Sequence, residues 1–290
     1  MERPARPGDS RGLRDILARH GFHTSRRWGQ HFLTDSRVPE TIVERAGITK
    51  THGVLEIGPG AGALTRALSG SAGRVVAVEV DKSLLPLLRE ILSGMDNVTV
   101  IHADILKTDL PKLVREHFHS DQLSAVSVCA NLPYNITTPV LFRLLQADLF
   151  GEITVMIQKE VALRLCAAAG TPAYGAFTVY VGARAVCETL FDVPPGCFTP
   201  PPKVMSSVVK LTRRMYPICD PALFERVVRA AFAQRRKTLV NALAGALPLS
   251  KEKLTDALLS CGLPPMTRGE TLDVTAFDRL CQVIRNREFL

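Results

Sequence analysis

The chain has no apolar run approaching the ~20 residues needed to span a bilayer, which argues against a helical membrane protein. Its opening residues, "MERPARPGDSRG", lack the continuous apolar segment of a secretory signal, and Glu2 and Asp9 argue against an organelle transit peptide. The seven cysteines are scattered without the paired spacing of a metal site. No metal centre is therefore expected, and the thiols read as reduced, mostly core side chains in a cytoplasmic setting. Internal repeats and low-complexity tails are also missing. What remains is the expectation of a soluble, cytoplasmic, globular protein with no membrane contact.

Positive charge is in excess, with 36 Lys and Arg against 28 Asp and Glu, a net +8. Its distribution says more than its size. Arg3, Arg6, Arg11, Arg14, Arg19, Arg26 and Arg27 crowd the N-terminus, and Arg226, Arg229, Arg235, Arg236 and Lys237 crowd a later helical stretch. Such clustering is the electrostatic footprint of a nucleic-acid partner, although solvated helix faces carry similar runs.

From Gly53 to about Gln158, short β-branched runs ("GVLEIG", "RVVAVEVD", "VTVIHAD", "AVSVCA", "ITVMIQ") alternate with amphipathic stretches. That pattern predicts parallel strands joined by crossover helices, preceded by an N-terminal helical arm. After the fourth run, Thr138 is the expected N-cap of a helix with Pro139 in its first turn. From Ala176 to Leu211 the period becomes two, in "AFTVYVGARAVCETLFDV" and "SSVVKLT", which predicts antiparallel strands closing the sheet, with the Pro-rich piece between them in a loop. From Pro221 onward the pattern is helical throughout. The 290 residues are thus expected to divide into an α/β domain over 1–216 and a small all-α domain over 217–290, with the boundary in Pro217–Pro221.

"VLEIGPGAGALT" sets Gly58, Gly60 and Gly62 between a strand and a helix, where glycine permits a tight turn and close approach to a ligand. Alone this is a weak signal. With Ala63 at the last small position it also satisfies the relaxed dinucleotide fingerprint, so a nicotinamide oxidoreductase is one reading. Glu79 closes the next strand, from which a carboxylate can accept both ribose hydroxyls. Asp104 closes the third, suited to hold an adenine amino group. Two acids, with no Lys or Arg in "GPGAGALT", suit a cationic ligand without a pyrophosphate. S-adenosylmethionine, with its sulfonium, is such a ligand.

The stretch "CANLPYNITTP" then places Asn131 past the fourth strand, on the edge where open α/β sheets hold ligands. The exocyclic amine of adenine is a poor nucleophile because its lone pair is delocalised into the ring. The Asn131 side-chain oxygen, with a backbone carbonyl from Leu132 or Pro133, can accept both its hydrogens and steer that lone pair toward a methyl donor. Pro133 stiffens the turn, and Tyr134 offers a stacking face for an extruded base, worth about 1–3 kcal/mol. A DNA adenine methyltransferase and a non-catalytic assembly factor are further readings of the same features.

"GQHFL", "EIGPGAGALT", "VEVD", "HADIL", "NLPY", "MIQKEVALRL", "YGAF", "FTPPPKV" and "AFAQRRKTL" occur together and in order from about Trp28. In this the sequence resembles the ribosomal RNA small-subunit adenine dimethyltransferase family. The resemblance implies a Rossmann-like S-adenosylmethionine-dependent methyltransferase domain with a small all-α C-terminal domain. It further implies N6,N6-dimethylation of two adjacent adenosines in the 3′-terminal hairpin of 16S small-subunit rRNA, on an immature 30S subunit, by a monomeric enzyme. By the same resemblance, Gln30, His31 and Leu33 cover the cofactor, Gly58 and Gly60 lie against it, Glu79 holds its ribose and Asp104 its adenine. Asn131 bridges cofactor and target, and Tyr134 and Phe198 sandwich the target base. Arg235, Arg236 and Lys237 neutralise rRNA phosphates without reading bases. His31 stands where many relatives carry Asn, Met205 where an acid is common, and Ala233 where an Asn precedes "QRRKT".

Overall fold

The computed structural model describes residues 16, 19, 31–119, 123–214 and 218–286. Gln30 and most of the expected N-terminal arm lie outside the described residues. The β-branched runs form β2 (His52–Ile57), β3 (Arg74–Glu79), β4 (Val98–His102), β5 (Ala125–Asn131) and β6 (Glu152–Gln158), following the two-residue strand β1 (Phe32–Leu33). β4, β3, β2, β5 and β6 are neighbours in that order and pair in parallel. β7 (Ala185–Val193), β8 (Phe198–Thr199) and β9 (Ser206–Arg213) follow. β9 pairs antiparallel with β6, and β7 lies beyond it, giving a seven-stranded sheet.

Helices α1 (Arg37–Ala46), α2 (Ala63–Ser71), α3 (Leu85–Ile91), α4 (Leu110–His117) and α5 (Thr137–Ala147) accompany the parallel strands. β2 and β3 are buried over almost their whole length, as expected of parallel strands covered on both faces. Strand order reverses between β2 and β5. β3 and β4 lie on one side of that point and β6 on the other, which opens a crevice at the carboxyl edge.

Three elements differ from the sequence expectation. Ala176–Gly182, expected as a strand, is a helix, α7, which follows the short helix α6 (Lys159–Leu165). Its entry is fixed by Thr178, whose hydroxyl accepts from Gly175 N–H at 3.2 Å and donates to Arg164 O at 2.6 Å. Helix α5 starts at Thr137 with Ile136 at the N-cap, so Thr138 lies inside the helix. The Thr137 hydroxyl instead donates to Pro133 O. Phe198, expected in a loop, belongs to β8, which pairs with β1 through Leu33↔Phe198.

The chain separates into two compact units. One runs to Ala162 and adds Glu188–Arg213; the other comprises Leu163–Cys187 and the chain from Arg214. Residues 163–187, expected within the α/β domain, therefore group with the C-terminal helices α8 (Pro221–Ala233), α9 (Leu239–Ala244), α10 (Lys251–Ser260) and α11 (Val274–Asn286). The reason is burial. Tyr174, Val179 and Ala183 join Phe224, Leu243 and Phe277 in one apolar cluster, and the Tyr174 hydroxyl donates to Leu272 O at 2.7 Å. Among the described residues, no helix is long and apolar enough to cross a membrane.

Two neighbouring glycines predict opposite effects. A β-carbon on Gly70, in α2, meets nothing within 4 Å. Gly70→Ala should therefore raise the urea-unfolding midpoint, by about 0.5–1 kcal/mol of stability. At Gly73 a β-carbon would lie 2.2 Å from Lys50 O, so Gly73→Ala should lower the midpoint.

Candidate active site

Four strand ends converge on one cavity of about 310 Å³. From β2 comes the glycine loop, with Gly58, Gly60 and Gly62 at φ of 68°, 56° and 76°, a region that disfavours side chains. A β-carbon at Gly60 would also crowd the Phe32 ring at 3.2 Å. From β3 comes Glu79, whose carboxylate accepts from the Asp81 amide at 2.8 Å and the Gly60 amide at 3.3 Å. Burial raises the Glu79 pKa, opposed by these amide hydrogen bonds. Beyond β4 lies Asp104, whose Oδ1 accepts from Leu106 N–H at 2.9 Å. Val80, Leu84, Ile105 and Leu106 supply apolar walls.

Asn131 is the last residue of β5, and Leu132, Pro133 and Tyr134 follow it along the same cavity. The Leu132 amide donates to Met156 O at 3.1 Å, which anchors the turn to β6. Pro133 O receives the Ile136 amide at 3.1 Å and the Thr137 hydroxyl at 3.2 Å. The Tyr134 hydroxyl lies 2.6 Å from the hydroxyl of the fully buried Ser206, and burial raises the Tyr134 pKa.

Thus His31, Leu33, Gly58, Gly60, Glu79, Asp104, Asn131, Leu132, Pro133 and Tyr134, singled out from sequence, line one cavity. Phe198 does not join them. It is buried in the apolar cluster with Leu33, Ile42 and Val208 and does not line the cavity. His31 instead lies beside the Tyr134 ring, with centroids 5.6 Å apart and planes tilted by 30°. Its Nδ1 is 2.7 Å from Pro200 O; because a carbonyl only accepts, Nδ1 carries the proton. Arg235, Arg236 and Lys237 belong to the other unit and are exposed. Of these, Arg235 is partly engaged, donating to Tyr174 O at 2.6 Å.

Sequence reasoning missed Glu56, Ser206 and the His31–Tyr134 contact. Glu56 lines the cavity at 1% exposure with Oε2 lacking a hydrogen-bond partner. Burial, assisted by the nearby Glu79 charge, pushes its pKa up to about 8. A carboxyl inside the apolar run "VLEIG" was the available signal, since a buried acid without a partner is costly. No Lys or Arg is among the cavity's described lining residues. The acids of this cavity, among them the buried Glu56 with an unpartnered oxygen, fit a cationic nucleoside such as S-adenosylmethionine, and they do not fit a pyrophosphate.

Fold and cavity together define a Rossmann-like methyltransferase that uses S-adenosylmethionine. The family model for ribosomal RNA adenine dimethylase matches residues 21–261. Ribosomal RNA small subunit methyltransferase A of Geobacillus thermodenitrificans is 45% identical over 97% of this chain and 96% of its own length. The protein of the same name from Caldanaerobacter subterraneus is 44% identical over 89% of this chain and 96% of its own. Among solved structures, a dimethyladenosine transferase from Plasmodium falciparum is similar, with a TM-score of 0.75 and 26% identity over 89% of this chain and 98% of that one. The 23S rRNA methyltransferase ErmE matches with a TM-score of 0.67 and 27% identity, over 87% of this chain and 99% of that one. The chain belongs to the ribosomal RNA adenine dimethylase family and is an rRNA adenine dimethyltransferase.

The Glu56 environment predicts a pH-dependent stability difference in the cofactor-free protein. With a folded pKa near 8 against 4.5 when unfolded, Glu56 costs nothing below the unfolded value. Its cost grows as pH rises between the two values, because only the unfolded state then releases the proton. Glu56→Gln should therefore melt above the parent protein at pH 8, with the difference vanishing near pH 4.5. Parallel melting curves across that range would contradict the assignment.

Proposed function

We propose that this chain dimethylates N6 of two adjacent adenosines in the 3′-terminal hairpin of 16S rRNA within an immature small subunit, acting as a cytoplasmic monomer. One observation carries the reading: Asn131 through Tyr134 line the same cavity as the glycine loop, Glu79 and Asp104. When bound, S-adenosylmethionine supplies an electrophilic methyl group. Glu79 accepts from its ribose hydroxyls and Asp104 from its adenine amine. His31 and Leu33 cover it.

The chain's task at the target is alignment. Asn131 Oδ1 accepts one hydrogen of the exocyclic amine. Pro133 O already receives two donors, so the Leu132 carbonyl takes the second hydrogen. Two acceptors held on a strand end draw the nitrogen away from planarity and aim its lone pair at the methyl carbon. Tyr134 stacks on the extruded base, with Ser206 holding its hydroxyl. Neither a covalent enzyme intermediate nor a general base of tuned pKa is needed, because the rate gain comes from orientation. In the C-terminal unit, the exposed Arg226, Arg229, Arg236 and Lys237 dock rRNA phosphates.

Asn131→Ala should leave the circular dichroism spectrum unchanged and lower methyl transfer at least about 100-fold. The readout is mass spectrometry of the two adenosines after incubation with unmethylated small subunits. Near-normal turnover would sink the amine alignment. Reversing charge at Arg236 and Lys237 should weaken subunit binding and reduce its salt slope by about 1 for each phosphate no longer neutralised. An unchanged slope would remove those residues from the docking surface.

A further inference from the structure

The sulfur atoms of Cys166 and Cys187 lie 2.7 Å apart. Cys166 is the first residue after α6, Cys187 is the third of β7, and both are partly exposed. Closing a bond of about 2 Å asks the two sulfurs to approach by less than about 1 Å. Three of the other thiols are less suited to reaction. Cys129, Cys261 and Cys281 are buried, and burial pushes the Cys129 and Cys281 thiols far above the usual range. A buried thiol with a raised pKa yields little of the reactive thiolate.

Position gives the pair a consequence. The chain enters the second unit at Leu163 and leaves it after Cys187, so the two cysteines stand near the two ends of that inserted segment. Between them lie Tyr174, Val179 and Ala183, which that unit buries in its core. A bond between the ends would remove conformational freedom from the segment's unfolded state.

We propose that Cys166 and Cys187 form a reversible disulfide that closes this segment into a covalent loop when hydrogen peroxide is present. One thiolate attacks the peroxide, the O–O bond breaks, and a sulfenic acid and water result. The second sulfur then displaces that hydroxyl, the S–S bond forms, and a second water leaves. The two electrons lost by the thiols reduce the peroxide. A dithiol reductant restores both thiols and departs as its own disulfide. Disulfides in reducing compartments are typically transient and redox-sensing, and this pair fits that use.

The test uses the full chain, reduced, freed of reductant and treated with hydrogen peroxide. The expected product is lighter by two hydrogens. A non-reducing tryptic digest should join Leu165–Arg184 to Ala185–Lys203, a link lost in Cys187→Ser and kept in Cys197→Ser. Oxidised protein should melt at least about 3 °C above reduced protein, with no such gain in Cys166→Ser. Cys166 and Cys187 remaining thiols while other cysteines oxidise, or pairing elsewhere, would overturn the proposal. A correct link without a rise in melting temperature would overturn the stabilising role of the loop.

Discussion

The Glu79 carboxylate holds two strand ends together, and the rest of the site is arranged around that tie. It accepts the Gly60 amide, from the loop that follows β2, and the Asp81 amide, just past its own strand. An acid at 4% exposure is stable only when its oxygens have donors, and here the donors are backbone amides of the two turns that need fixing. The glycines make this geometry reachable, because a loop with three left-handed residues can direct an amide back toward β3. Both Glu79 oxygens retain acceptor capacity beyond these bonds, which a ribose diol can use.

The remaining half of the site depends on the opposite edge of the sheet. β5 delivers Asn131, while the antiparallel pairing of β9 with β6 brings Ser206 opposite Gln158 and within reach of the Tyr134 hydroxyl. The antiparallel addition to an otherwise parallel sheet therefore bears on the Asn131–Tyr134 side of the cavity. Two electrostatic regimes follow. The cavity holds acids and no described Lys or Arg, suited to a cationic cofactor, whereas the second unit exposes arginines suited to a polyanion.

Much of the architecture was legible because parallel strands buried on both faces must be written as continuous β-branched runs. The glycine loop, both acids and the asparagine turn were legible because each needs a particular residue type at a strand end. The misreadings have equally specific causes. "AFTVYVG" alternates like a strand, yet seven residues are too few to separate the two periods, and packing on the C-terminal cluster decided for helix. Thr138 resembled a cap, but the helix begins one residue before it, with Ile136 at the N-cap and no capping side chain. Phe198 was expected to stack on a base, but pairing with β1 buries it.

By itself the sequence determined which strands are parallel, where the chain turns at their carboxyl ends, and which polar side chains those turns present. Each depends on local periodicity or on a backbone conformation that few residue types adopt. Tertiary structure alone decided that Leu163–Cys187 folds with the C-terminal helices, that Ser206 meets Tyr134, that His31 rather than Phe198 lies beside that ring, and that two distant cysteines touch. These contacts join residues from about 20 to over 100 positions apart. Only sheet pairing and core packing bring such residues together, and neither leaves a periodic trace in the chain.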